Sequence, residues 1–79
     1  MKTVTYTSAA LADLAKHRNR AAKIMDKVER YAADGLGDVK QLTGSPAKRL
    51  RVGDFRVIFQ ETATTITVSR IAPRGGIYD

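Results

Sequence analysis

The chain has no cysteine, a single histidine (His17) and two prolines in seventy-nine residues. Without cysteine there can be neither a disulfide framework nor a thiolate zinc site, and a reducing compartment is compatible. His17 has no second imidazole to share a metal with, so neither metal nor cofactor is expected. No apolar run approaches the roughly 18 residues that span a bilayer, and no apolar signal segment follows Met1-Lys2. The expectation is a soluble cytoplasmic protein with no membrane contact. At this length it is one domain, residues 1–79, near the lower limit that a hydrophobic core alone can hold.

What is present in excess is positive charge. The formal net charge is +6 and the pI about 10.1, which predicts attraction to polyanions, either nucleic acid or an acidic protein. Its distribution says more than its sum. The first half places Lys and Arg beside Asp and Glu on predicted helices; the second uses almost only Arg on predicted strands. Arg is the residue suited to two parallel contacts with a phosphate.

Hydrophobic periodicity orders the elements. Lys2 to Tyr6 alternates and is β-branched, which predicts a strand. Thr7 or Ser8 offers an N-cap to a short helix over Ala9–His17, with Leu11 and Leu14 inward. Asn19 marks a break. Arg20–Ala33 is the strongest helix, with Ala21, Ile24, Met25, Val28, Tyr31 and Ala32 on one face and Gly35 as its C′ residue. Leu36 to Ala47 reads as a connector from which Leu42 tucks toward the core. Two alternating runs follow, Arg49–Val52 and Phe55–Phe59, and a last strand covers Thr65–Ile71 before Pro73, Gly75 and Gly76 end it. The order β-α-α-β-β-β predicts an α+β fold: a small, mainly antiparallel sheet with a two-helix hairpin on one face.

Gly53-Asp54 between the two central runs is a two-residue hairpin signal, with Gly first suggesting a type II′ turn. It sets Val52 opposite Phe55, Arg51 opposite Arg56, Leu50 opposite Val57 and Arg49 opposite Ile58. Apolar side chains then share one face, while Arg49, Arg51 and Arg56 share the other, which is expected to be open. Like charges directly opposite on a sheet cost a few tenths to about 1 kcal/mol. An anion laid across that face would offset the cost.

These residues carry a resemblance. Gln41-Leu42-Thr43-Gly44, the run Arg49 to Phe59, and Ile71-Ala72-Pro73-Arg74-Gly75-Gly76-Ile77-Tyr78 resemble the RelE/ParE superfamily of type II toxins, as does the element order. The resemblance spans nearly the whole chain and implies one of two activities. RelE-like members are mRNA interferases, commonly acting on mRNA in the ribosomal A site; ParE-like members inhibit DNA gyrase and cut no RNA. Both are held inactive by a cognate antitoxin. For the RelE-like branch the resemblance implies Arg49, Arg51, Arg56, Arg74 and Tyr78 as the catalytic residues.

Such a site must take a proton from the 2′-hydroxyl, stabilise a dianionic phosphorane and protonate the 5′-oxygen. Guanidiniums supply charge and paired donors, and Tyr can stack on a base or orient the hydroxyl. Arg remains protonated below a pKa of about 12 and is a poor general base. Relatives often place Lys on the strand and His near its end; here Lys48 has the parity of Leu50, and Pro73 stands where many carry His. That lack keeps three readings open: an mRNA endonuclease, a gyrase inhibitor, and an inert relative that serves as antitoxin-binding partner. Arg70 reads as a salt-bridging residue near a strand end, Tyr31 as core, and His17 as surface near a helix end.

Overall fold

The computed structural model describes residues 1–73. The first strand, β1 (Thr3–Tyr6), leads into helices α1 (Ser8–Lys16) and α2 (Arg18–Asp34). Four strands follow: β2 (Asp38–Gln41), β3 (Lys48–Val52), β4 (Phe55–Glu61) and β5 (Thr65–Pro73). They form one five-stranded sheet in the order β1-β5-β4-β3-β2, antiparallel except where β1 lies parallel to β5. The α+β fold and its β-α-α-β-β-β order hold, with β2 added inside the segment read as a connector. Among the described residues no helix is long and apolar enough to cross a membrane.

Local chemistry explains the boundaries. The Thr7 hydroxyl accepts from the Ala10 N–H at 3.1 Å and so satisfies an orphan donor at the start of α1. The chain turns at His17, whose N–H bonds the carbonyls of Asp13 and Leu14, and Arg18 already begins α2. Asn19, expected at the break, therefore lies inside α2. Gly35 closes α2 with φ 72°, its N–H on the Tyr31 carbonyl at 2.8 Å; that left-handed conformation favours glycine.

The core lies between the helices and one face of the sheet. Ile24, Val28 and Ala32 point down from α2, and Ala10 and Leu14 from α1. Leu50, Val52, Val57, Phe59, Ile66, Val68 and Ile71 rise to meet them from β3, β4 and β5. Burying each large aliphatic or aromatic side chain here contributes about 1.5–3 kcal/mol. Two residues assigned inward do not reach it: Leu11 is 54 % exposed and Met25 38 %. Both helices bury a narrower stripe than their apolar pattern suggests, because the small sheet offers too little surface to cover a wider one.

A charged clasp closes the helix-side rim. The Glu61 carboxylate receives Lys2 Nζ (2.5 Å), Lys48 Nζ (2.8 Å) and the Tyr31 hydroxyl (2.7 Å). Burial alone pushes the Glu61 carboxyl up; the three donors outweigh it and hold the group at about 2. Tyr31 also stacks at a tilt on Phe59, with centroids 5.4 Å apart, so it belongs to the core as expected.

Asp13 secures the other side. Its carboxylate accepts from the Ile71 N–H at 2.8 Å and from Arg70 Nε at 3.0 Å, covering the part of β5 that extends beyond β1. Burial raises the Asp13 carboxyl, and these two donors bring it below its ordinary value. Arg70 is therefore the salt-bridging residue its position suggested.

Candidate nucleic-acid interface

The site is built on the β3–β4 hairpin. Gly53 has φ 58° while among the described residues no non-glycine residue has positive φ, which fits the type II′ turn, where only the first turn position has positive φ. The register is the one expected: Val52 opposite Phe55, Arg51 opposite Arg56, Leu50 opposite Val57 and Arg49 opposite Ile58. The pair beside a two-residue turn exchanges hydrogen bonds, so Arg51 and Arg56 fall at the next, non-bonded position. There Cα atoms come to about 4.5 Å and side chains are closest. Residues opposite one another share a face, and Val57 and Leu50 occupy the helix side. Arg49, Arg51 and Arg56 are thus together on the opposite face.

That face is less open than the alternation implied. Arg51 is exposed and Arg49 half-buried, but Arg56 is only 4 % exposed. β4 is the middle strand of five, so Arg56 has side chains from β3 and β5 on both flanks, with Ala72 opposite it on β5. Arg51 lies one strand nearer the edge.

Sequence reasoning missed Lys40. The sequence pattern puts it in a connector, yet β2 pairs with β3 so that Lys40 lies opposite Arg49 and Asp38 opposite Arg51. An exposed ammonium thus joins the guanidinium row. The only signal available was Val39, one apolar residue in a polar stretch, which is too little to identify a strand.

Two groups with ionisable nitrogens are withdrawn from this face. Lys48 lies opposite Phe59 on the helix side and is held by Glu61, whose hydrogen bond raises the Lys48 pKa. His17 packs edge-on against Phe55, centroids 5.0 Å apart at 75°, at the α1–α2 junction. Phe55 shares the helix-side parity of Val57, so His17 is across the sheet from the arginines. Arg74 and Tyr78, also expected in the site, lie outside the described residues.

The arrangement is a group of cations on three adjacent strands, Lys40 on β2, Arg49 and Arg51 on β3 and Arg56 on β4, with Asp38 opposite Arg51, and its donors suit the oxygens of a phosphodiester backbone. No protein-family model matches the sequence, and no curated protein matches it. Solved structures do match. The chain superposes on a structure of the RelB–RelE antitoxin–toxin complex from Methanococcus jannaschii, with TM-score 0.68, 23 % identity and 95 % of both chains covered. It is similar to the toxin–antitoxin complex RelBE2 from Mycobacterium tuberculosis, with TM-score 0.71, 24 % identity, and 92 % of this chain and 98 % of that one covered. The DinJ–YafQ complex from E. coli gives TM-score 0.74 at 13 % identity over the full length of both chains. The fold is that of these RelE-like toxins.

Proposed function

We propose that this protein is the toxin of a type II toxin–antitoxin pair and acts as a metal-independent, ribosome-dependent mRNA endonuclease. The observation that carries the reading is the register of the β3–β4 hairpin, which sets Arg49, Arg51 and Arg56 on one face of a RelE-like fold. In the reaction the ribose 2′-hydroxyl gives its proton to water and attacks the adjacent phosphorus, and the bond to the 5′-oxygen breaks, leaving a 2′,3′-cyclic phosphate and a 5′-hydroxyl that has taken a proton from water. Arg51 and Arg49 donate to the non-bridging oxygens as the phosphorane gains its second charge. Stabilisation of developing charge by prepositioned donors is the largest single contribution such a face can make. Arg56, held by its neighbours on the central strand, fixes the geometry of the row. Arg74 and Tyr78 complete the site in this reading, with Tyr78 stacking on a base or orienting the hydroxyl. The ribosome positions the mRNA, and a cognate antitoxin keeps the toxin inactive.

One observation favours a second reading. With Lys48 committed to Glu61 and His17 across the sheet, the Arg face gains no proton acceptor from either. A face that binds without cutting would suit a ParE-like inhibitor of DNA gyrase. Brief induction in cells, with new mRNA 5′ ends mapped, separates the two. Fresh ends inside translated frames that vanish in Arg51→Ala and Tyr78→Phe establish the nuclease. Growth arrest with DNA breaks and intact mRNA assigns the protein to gyrase, and no arrest at all leaves an inert binding partner.

A further inference from the structure

The β1–β5 end of the sheet carries a different chemistry from the β2–β4 end. β1 and β5 run parallel and in register, with Thr3 beside Thr65 and Thr5 beside Thr67. Val4 and Ile66 between them pack toward the helices, so alternation turns all four threonines to the face that carries the arginines. The Thr5 hydroxyl donates to Thr67 Oγ1 at 3.4 Å, which sets the two side by side. Gln60, exposed on β4, lies opposite Thr67 and continues the row toward β3.

Other threonine hydroxyls of this chain serve its own backbone. Thr7 caps α1 and donates to the Ser69 carbonyl at 3.0 Å, and Thr62 closes the β4–β5 turn. The four on the sheet face do not. Their two contacts are hydroxyl to hydroxyl at 3.4 Å, and among the described residues no hydrogen bond holds the Thr3 hydroxyl or the Gln60 amide. A β-branched side chain suits a strand, but Val would suit it equally; what Thr adds at these positions is a group that both donates and accepts.

The neighbouring cations select the occupant. A strand of nucleic acid held at Arg49 and Arg51 can continue over Gln60 to the threonines without leaving the face. From β3 to β1 is three strand spacings, about 14 Å, or about four nucleotides at 3.4 Å each. Protein hydroxyls and amides commonly contact phosphate and sugar, and the ribose 2′-hydroxyl, which itself donates and accepts, distinguishes RNA from DNA. We propose that Thr3, Thr5, Thr65, Thr67 and Gln60 form a ribose-binding surface that continues the arginine face and selects single-stranded RNA over DNA. The inference rests on the RNA-binding reading above and adds to it the groups that recognise the sugar.

The test is fluorescence anisotropy on the intact protein with two probes, an oligoadenylate of about eight nucleotides and its deoxy counterpart. The wild type is expected to prefer the RNA about tenfold. Thr5→Val with Thr67→Val keeps side-chain shape and should weaken RNA binding about fivefold and DNA binding less than about twofold. Thr3→Val with Thr65→Val gives a second, independent variant with the same expectation, and circular dichroism checks that both fold. Arg51→Ala should weaken both probes alike and leave their ratio unchanged, because it meets phosphate. An RNA preference that survives in both valine variants overturns the proposal. Equal binding of RNA and DNA by the wild type, lost in Arg51→Ala, also overturns it while the arginine reading stands. A wild type that binds neither probe refutes the RNA reading and this inference with it.

Discussion

The two faces of the sheet use the same cations in opposite ways. On the helix side, Lys2 and Lys48 converge on Glu61 with the Tyr31 hydroxyl, so each positive charge is set beside a negative one at the rim of the core. On the other face, the register sets Arg51 opposite Arg56 and Lys40 opposite Arg49, with the Asp38 carboxylate on the other side of Arg51. The first arrangement lowers the energy of the folded chain by itself. The second costs stability at each like-charged pair and concentrates potential for a polyanion. Under the proposed function, stability and activity are divided between the faces of one five-stranded sheet.

The division can be broken from either side. The largest effect is expected from replacing Arg49, Arg51 and Arg56 together by Ala, which should lower the cleavage rate about 10³-fold in a translation assay. Circular dichroism on the same variant checks that the fold survives. Glu61→Gln should do the reverse, costing about 3 kcal/mol in urea unfolding while a folded sample still cleaves, because the ammoniums of Lys2 and Lys48 lose their counter-charge at a half-buried rim. Acid sharpens the same contrast. The folded Glu61 carboxyl sits at about 2 against an ordinary 4.5, so the unfolded chain binds the extra proton between those values. Its contribution of about 3 kcal/mol is complete above pH 4.5 and is lost as pH falls through about 2. Asp13, also lowered, adds to the loss in the same direction. Urea midpoints measured at stepped pH check this, and in Glu61→Gln the slope should be shallower. The smallest effect is expected from Thr7→Ala, about 1 kcal/mol from one missing cap, read as a shift in thermal midpoint with cleavage unchanged.

Much of this was legible in local chemistry. The Gly53-Asp54 turn permits only two residues between strands, and a shift of one residue would turn every side chain over, so the Arg51–Arg56 pairing could be read directly. Gly35 and Thr7 could be read for the same reason, since each acts on backbone groups within four residues. Lys48 was placed on the helix side by parity alone, and its bond to Glu61 bears this out.

Other features had no local signal. β2 is a strand because β3 offers its edge, not because Asp-Val-Lys-Gln favours extension, and Lys40 enters the Arg face only through that pairing. Leu11 and Met25 fit a helical stripe, but how wide a stripe is buried depends on the sheet beneath it. Arg56 lies on β4, the centre of the order β1-β5-β4-β3-β2, and is buried, which alternation along one strand does not reveal. By itself, then, the sequence determined the turns, the caps, the hairpin register and the side of the sheet that its arginines occupy, because these depend on backbone geometry over a few residues. Tertiary structure alone decided which of those arginines meets solvent and which lysine joins them, because both depend on elements far apart in the chain.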